Sequence, residues 1–194
     1  MQIIKEKKYK NISLTVNTKG EVIIKAPLFC NDNYIDLFYK KHQKWIDNRI
    51  EFINKQNCLK EKYDFNKYIY LFNKPILKNN SFDLKTSYID IFYNHIPNLL
   101  NFYSNKLGLK YNNLKITTSK HIWGSLDNKK QIKLNLFITI LPIELVEYII
   151  IHELCHIKHF NHSKSFWSLV EYYYCPDYKQ KRKKLKKYSF ILTL

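Results

Sequence analysis

Residues 151–162 read I-H-E-L-C-H-I-K-H-F-N-H, and this stretch holds four of the seven histidines in the chain. His152, Glu153 and His156 form the arrangement H-E-x-x-H. Because an α-helix turns by about 100° per residue, the two histidines are expected one above the other on one helix face. Two neutral imidazoles so placed can share a Zn²⁺ ion. Glu153, next to the first of them, is then the natural base for a water activated by that ion.

A third histidine, His162, extends this pattern. On an uninterrupted helix it would point away from the first two, so the pattern requires a turn after His156. Asn161 tolerates the backbone angles of a helix end, and Ser163 is a good N-cap for a new helix that starts at Lys164. Three protein ligands would leave one zinc position open, as in catalytic sites. The alternative is a helix whose histidines are merely packed or solvated.

The composition narrows the class of protein. With 45% hydrophobic and 16% aromatic residues, the chain is not mainly disordered. It has only 3 Gly and no glycine-rich phosphate loop. The formal net charge is +17, but only Arg49 and Arg182 are arginines among 33 basic residues. Since Arg is favoured for bidentate phosphate and base contacts, its scarcity weakens the case for specific nucleic-acid recognition, and we expect non-specific binding through the Lys-rich surface at low salt.

The cysteines and the apolar segments bear on the compartment. No C-x-x-C pair and no secretory signal is present, so we expect reduced thiols and a cytoplasmic protein. Cys155 lies about 100° from His156 around the helix, and we interpret it as a small buried residue. The most apolar stretch, residues 137–151, is interrupted by Pro142, Glu144 and Glu147, which predicts no membrane span.

The first part of the chain, residues 1–80, is predicted to be β-rich with one helix. Apolar residues alternate over 12–16 and 22–26 around the turn Asn17–Gly20, which indicates a hairpin. Asp32 or Asn33 is expected to cap one amphipathic helix that extends to about Ile53. Residues 56–64 read as a polar linker, and 68–77 read as extended chain with a turn or bulge at 73–75.

The second part, residues 81–194, is predicted to form the core of the fold. A helix is predicted over 88–107, kinked or divided by Pro97 and ending at Gly108. Short strands are expected at 114–118 and 131–136, with a turn at 127–130. Pro142 opens the histidine helix, whose apolar residues cover most of its circumference and predict burial. The helix after Ser163 should end before Pro176, and the basic run 179–187 reads as a solvated final helix.

Several short sequence motifs of this chain are similar to those of one known family. The chain resembles the YgjP-like zinc metallopeptidases, relatives of the WLM and SprT-like proteases within the zincin-like fold. The matching segments are Trp123-Gly124-Ser125, Leu134-Asn135, His152 through Trp167, Pro176-Asp177-Tyr178-Lys179, residues 12–27 and Lys44-Trp45-Ile46. The resemblance implies an α+β, zincin-like fold with a small, mostly antiparallel sheet packed against the active-site helix. It also implies His152, His156 and His162 as zinc ligands and Glu153 as the general base.

Two departures accompany this resemblance. The family often has Arg and Cys where this chain has Ile122 and Leu126, so any role of that cation or thiol is absent here. The three histidines that the resemblance implies as zinc ligands are all present in this sequence. A donor for the oxyanion is left open among five candidates: Tyr172, Tyr173, Tyr174, His121 and Lys158. Trp123, Phe166 and Trp167 are interpreted as core or pocket walls.

Three functions are compatible with these residues. The first is a zinc-dependent metallohydrolase, a peptidase that cleaves a peptide or protein substrate with a metal-activated water. The second is a metal-dependent hydrolase of nucleotide phosphoanhydrides, which the Lys-rich surface would favour. The third is a DNA-associated basic zinc protein in which the metal only stabilises the fold. We favour the first.

Overall fold

The computed structural model describes residues 1–78, 83–174 and 177–194. Helices and small sheets are both present, which confirms the predicted α+β class. Internal contacts group the chain into two units, Met1–Lys62 and Tyr63–Leu194. The sequence placed a division after residue 80, and that domain division stays a prediction. Within the described ranges, no helix combines the length and the apolar character that a membrane crossing requires.

The first unit contains a three-stranded sheet formed by β1 (Gln2–Glu6), β2 (Ser13–Val16) and β3 (Val22–Pro27). The β2–β3 pair is antiparallel, which confirms the predicted hairpin. Gly20 has a φ of 83° in its turn, a conformation that glycine adopts without a steric cost. The pairing of β1 with β3 is parallel, and the sequence analysis did not predict β1.

Two helices follow where one was predicted: α1 (Asp32–Lys41) and α2 (Gln43–Lys60). The predicted caps were wrong, because the side chain of Asn31 caps α1 by accepting a hydrogen bond from the backbone N–H of Asn33. The predicted polar linker at 56–64 was also wrong over its first half, since α2 continues to Lys60. The core of this unit consists of the buried residues Val22, Ile24, Ala26, Ile35 and Ile46.

The first strands of the second unit are the antiparallel pair β4 (Tyr68–Leu71) and β5 (Lys74–Leu77), which confirms the predicted extended chain. The predicted turn at 73–75 was misplaced, because the turn lies at 72–73 and Pro75 belongs to β5. The long helix α3 (Leu84–Leu107) starts four residues earlier than predicted, because Asp83 caps it through the backbone N–H of Thr86. It ends at Gly108 in the left-handed conformation, which confirms the predicted stop. Pro97 lies inside α3, so the predicted division of the helix at this residue was wrong.

The sheet of the second unit is formed by β6 (Asn113–Thr117), β7 (Gly124–Leu126) and β8 (Gln131–Asn135). Strand β8 is central, with β6 parallel on one side and β7 antiparallel on the other. A buried 3₁₀ segment, Leu136–Ile140, leads from β8 into α4 (Ile143–Cys155). Strand β7, at the edge of the sheet, packs against α4.

Helix α4 is buried around most of its circumference, as its apolar pattern predicted. Helix α5 (Lys164–Tyr174) starts at the predicted residue, and its predicted stop at Pro176 lies outside the described residues, as does Cys175. Helix α6 (Tyr178–Lys187) is mostly exposed, which confirms a solvated final helix. Both α5 and α6 pack against α4.

Candidate active site

The end of helix α4 brings together the three histidines singled out in the sequence. His152 lies in the last turn of α4, and His156 is its C-cap residue. The chain leaves the helical path after His156, and Ser163 then accepts a hydrogen bond from the backbone N–H of Phe166 at 3.4 Å as α5 begins. This corner places His162 beside the other two. One ligand atom from each histidine lies within 4.8 Å of the others, so the group could hold a metal ion.

The hydrogen bonds of the imidazoles indicate which nitrogens are available. The Nδ1 of His156 lies 2.9 Å from the backbone oxygen of His159. Since a carbonyl only accepts, Nδ1 carries the proton and Nε2 keeps its lone pair. The Nε2 atoms of His152 and His162 face each other at 3.0 Å. His159 therefore contributes its backbone carbonyl to the site.

The protonation of the histidines favours ligand chemistry. The pKa of His152 is lowered to about 3, first by burial and then by the charges of His156, His162 and Arg182. Burial is also the main reason that the pKa values of His156 and His162 are lowered. All three imidazoles are therefore neutral at pH 7, the form that can donate a lone pair to a cation.

Glu153 lies next to this group and faces the strand β7. Its side chain is 5% exposed and borders two cavities that also contain His152 and His162. Burial raises the pKa of Glu153 to about 8. A Cβ added to Gly124 would lie 2.8 Å from the Cγ and Oε1 of Glu153. The absence of a side chain at Gly124 therefore makes room for the carboxyl group.

The stretch around Gly124 is held in place by Asn135, a buried residue at the end of β8. Its Nδ2 donates to the backbone oxygen of Ser119 at 2.9 Å and to that of Ile122 at 3.4 Å. Its backbone N–H donates to the carbonyl of Trp123 at 2.8 Å. Hydrogen bonds of Asn135 thus connect two of the motifs noted in the sequence, Leu134-Asn135 and Trp123-Gly124-Ser125.

Aromatic rings from α5 support the histidines. Phe166 is fully buried, and its ring centroid lies 4.4–4.9 Å from those of the three histidines. Trp167 stacks on His162 at 5.5 Å and on Tyr178 at 5.3 Å. The prediction of core or pocket wall is confirmed, with Phe166 in the core and Trp167 along the cavity wall.

The larger cavity has a volume of about 550 Å³. Of the five candidate oxyanion donors, His121 borders it. The hydroxyls of Tyr173 and Tyr174 instead donate to the backbone oxygens of Leu107 and Glu144. Tyr172 is 81% exposed. Ile122 borders the larger cavity and Leu126 the smaller one, so both replaced positions add apolar surface at the site.

Three residues at this site were missed in the sequence. Tyr148, one turn before His152, is buried and borders the cavity, and burial is the main reason that its pKa is raised to about 12. Gly124 was quoted as part of a motif without a role. Arg182 borders the cavity from α6, and its rarity among the basic residues was the available signal. Cys155 is fully buried, as predicted, and burial raises its pKa to about 12.

Comparison with solved structures finds two metallopeptidase zymogens that are similar to part of this chain. The chain is 27% identical to Pyrococcus abyssi abylysin over 46% of this chain and 90% of that one, with a TM-score of 0.43. It is 28% identical to Methanocaldococcus jannaschii jannalysin over 47% of this chain and 94% of that one, also with a TM-score of 0.43. No curated protein matches the chain significantly.

Comparison with family profiles covers far more of the chain. The profile of the YgjP-like metallopeptidase domain matches residues 10–81 and 78–188. The second match contains β7, the end of β8, α4 and the corner that carries His162, which are the elements that assemble the site. This chain, which carries the three histidines described above, therefore belongs to the YgjP-like metallopeptidase family.

Proposed function

We propose that the protein is a zinc-dependent peptidase of the H-E-x-x-H type that cleaves peptide or protein substrates. In this proposal His152, His156 and His162 hold the Zn²⁺ ion and Glu153 is the general base. The observation that carries it is the gathering of three neutral imidazoles within 4.8 Å beside a buried carboxyl group that borders the same cavities.

The donor set fits a zinc ion. Two nitrogen ligands of tetrahedral Zn²⁺ lie about 3.3 Å apart, and the Nε2 atoms of His152 and His162 are separated by 3.0 Å. Three imidazoles also match the ligand number of catalytic zinc sites, which keep one position open. The bond from His156 to the carbonyl of His159 fixes the tautomer of that ring, as metal-ligating histidines require.

When bound, Zn²⁺ supplies a Lewis acid that lowers the pKa of water and polarises a carbonyl. The carboxyl group of Glu153 takes the proton of the attacking water and later delivers it to the leaving amine. Burial makes Glu153 a stronger base than a surface carboxylate, although a bound cation opposes this effect. Phe166 packs against His156 and Trp167 against His162, and these contacts hold the imidazole rings in position.

Zinc content together with one matched pair of variants tests the proposal. We expect about one Zn²⁺ per chain by elemental analysis of the untagged protein. Glu153→Gln should keep the zinc and lose roughly 10²- to 10⁴-fold of the activity on denatured casein, the range that general-base catalysis contributes. Glu147→Gln, the same change on the same helix but at a different cavity, should keep full activity.

Other outcomes would contradict the proposal in different ways. Full activity of Glu153→Gln would remove Glu153 as the base. Release of pyrophosphate from nucleoside triphosphates without peptide cleavage would favour the phosphoanhydride hydrolase. Stoichiometric zinc with salt-sensitive DNA binding and no turnover would favour the DNA-associated protein. The cytoplasmic location and the non-specific nucleic-acid binding stay predictions from the sequence.

A further inference from the structure

Arg182 stands out in both sequence and structure. It is one of two arginines in the chain, and the six other basic residues of the run 179–187 are all lysines. Its helix, α6, is otherwise a solvated lysine helix. Arg182 nevertheless borders the 550 Å³ cavity together with His152 and Glu153.

The guanidinium group of Arg182 is held against the wall of the site. Its central carbon lies 4.9 Å from the ring centroid of Trp167. Trp167 stacks in turn on His162 and on Tyr178. A guanidinium group over the face of an indole is attracted to the ring and can still donate through its N–H groups. Arg182 is exposed, and this contact holds its positive charge at the edge of the cavity.

Two lysines of α6 are paired with carboxylates, whereas Arg182 has no such pair among the described residues. Lys184 contacts Glu144 at 2.7 Å, and Lys181 contacts Asp177 at 3.8 Å. Within residues 1–78, 83–174 and 177–194, no carboxylate forms an ion pair with Arg182. Its donors thus lack an acidic partner from the described part of the chain, at the cavity that His152 and Glu153 also line.

We propose that Arg182 binds a carboxylate of the peptide substrate and thereby determines specificity. This inference rests on the proposed peptidase function. An arginine fork matches a carboxylate with two parallel hydrogen bonds, which a lysine cannot reproduce. The carboxylate could belong to an acidic side chain near the cleaved bond or to the C-terminus of the substrate, and the chemistry of recognition is the same.

Paired peptides distinguish these two sources. Short peptide mixtures would carry Glu or Gln at one fixed position, and each would be made with a free or an amidated C-terminus. We expect the wild-type protein to prefer one acidic form over its neutral partner by roughly 10- to 100-fold in kcat/KM, the range for a hydrogen-bonded charge pair. A preference for Glu over Gln identifies a side chain, and a preference for the free acid over the amide identifies the C-terminus.

Variants of Arg182 test whether this residue causes the preference. Arg182→Gln should abolish the preference, measured as the ratio of kcat/KM for the acidic peptide over that for its neutral partner in the same variant, because the fork that binds the carboxylate is removed. Arg182→Lys should keep part of the preference, since it retains the charge but loses the fork. Arg49→Gln is the matched control, because the other arginine lies over Phe52 in the first unit, and it should behave as wild type. Thermal unfolding checks that each variant is folded.

Equilibrium binding makes the test independent of turnover. In the Glu153→Gln background, fluorescein-labelled acidic and neutral peptide mixtures would be titrated with and without Arg182→Gln. If the acidic form binds more tightly than the neutral form and Arg182→Gln removes this difference, the inference is supported even when no peptide is cleaved. In that case only the proposed peptidase function is contradicted. Equal binding of acidic and neutral peptides, or an acidic preference that survives Arg182→Gln, overturns the inference whether or not cleavage is observed.

Discussion

Gly124→Ala is the substitution whose consequences the structure defines most sharply. The added Cβ would lie 2.8 Å from the Cγ and Oε1 of Glu153 and 2.9 Å from its Cδ. Carbon atoms in contact are ordinarily about 3.5 Å or more apart, so the carboxyl group would have to retreat by roughly 0.7 Å. The φ of Gly124 is not in the left-handed region that disfavours alanine, so the effect would come from lost space and not from backbone strain.

The size of the effect follows from the role proposed for Glu153. A misplacement of about 1 Å can cost on the order of 100-fold in rate when a reacting group is involved. We therefore expect kcat to fall by roughly 10- to 100-fold in Gly124→Ala, with a smaller change in KM and unchanged zinc content. Overpacking at this buried contact should also lower the free energy of unfolding by about 1–3 kcal/mol.

Steady-state kinetics on a cleaved peptide, elemental analysis and chemical denaturation measure these three quantities. Gly108→Ala is the matched control in the same unit. Gly108 has a φ of 65°, and an added Cβ there meets no atom within 4 Å. This control should lose about 1 kcal/mol of stability through the left-handed conformation and keep the wild-type kcat.

Two results would refute the reasoning. The first is a Gly124→Ala protein with wild-type kcat and KM, which would mean that the position of the Glu153 carboxyl does not govern the reaction. The second is an equal loss of kcat in Gly108→Ala, which would mean that the loss reflects general destabilisation and not the contact with Glu153.

Further predictions concern the support of the site and the stability of the fold. Asn135→Ala should lower the free energy of unfolding by about 2 kcal/mol or more and reduce kcat, because the backbone groups of Ser119 and Phe137 lose their hydrogen bonds to this side chain. A wild-type free energy of unfolding together with a wild-type kcat would contradict this prediction. Phe166→Ala should cost about 3–5 kcal/mol and weaken zinc affinity, whereas Phe166→Leu should be milder, as measured by denaturation and zinc titration. Removal of zinc by a chelator should lower Tm, and added zinc should restore it, with an unchanged Tm as the contrary result. Glu144 accepts a hydrogen bond from Lys184, which lowers its pKa, so this stabilisation is present above the unfolded-state pKa and is lost as pH falls through the folded-state value. Glu144→Gln should therefore reduce stability near pH 7 by less than about 1 kcal/mol and flatten its fall in acid, which thermal unfolding across pH would detect.

The sequence predicted elements whose signals are local. The spacing of His152 and His156 predicts one helix face, and Ser163 with Lys164 predicts the start of α5 after the corner. Gly108 predicts the end of α3 because a left-handed cap residue needs no Cβ. In each case the residues that fix the geometry lie within a few positions of one another.

Other elements were misjudged because competing signals had similar strength. One helix was predicted where α1 and α2 are separated at His42, since the apolar spacing continues across the break. The polar composition of residues 56–60 suggested a linker, but polar residues suit the exposed face of α2 equally well. The parallel partner of β3 lies some twenty residues away, and a short polar strand carries little periodic signal.

By itself, the sequence determined the histidine set, the neighbouring glutamate and the helix that carries most of them, because these features follow from spacing along one segment. Only the tertiary structure decided that Gly124 makes room for Glu153 and that Arg182 borders the same cavity. These contacts join strand β7 and helix α6 to helix α4 across about thirty residues of chain in either direction. Hydrophobic periodicity and helix-capping residues report only on nearby positions and cannot predict contacts between elements so far apart in the sequence. Such contacts are determined by the packing of the whole core.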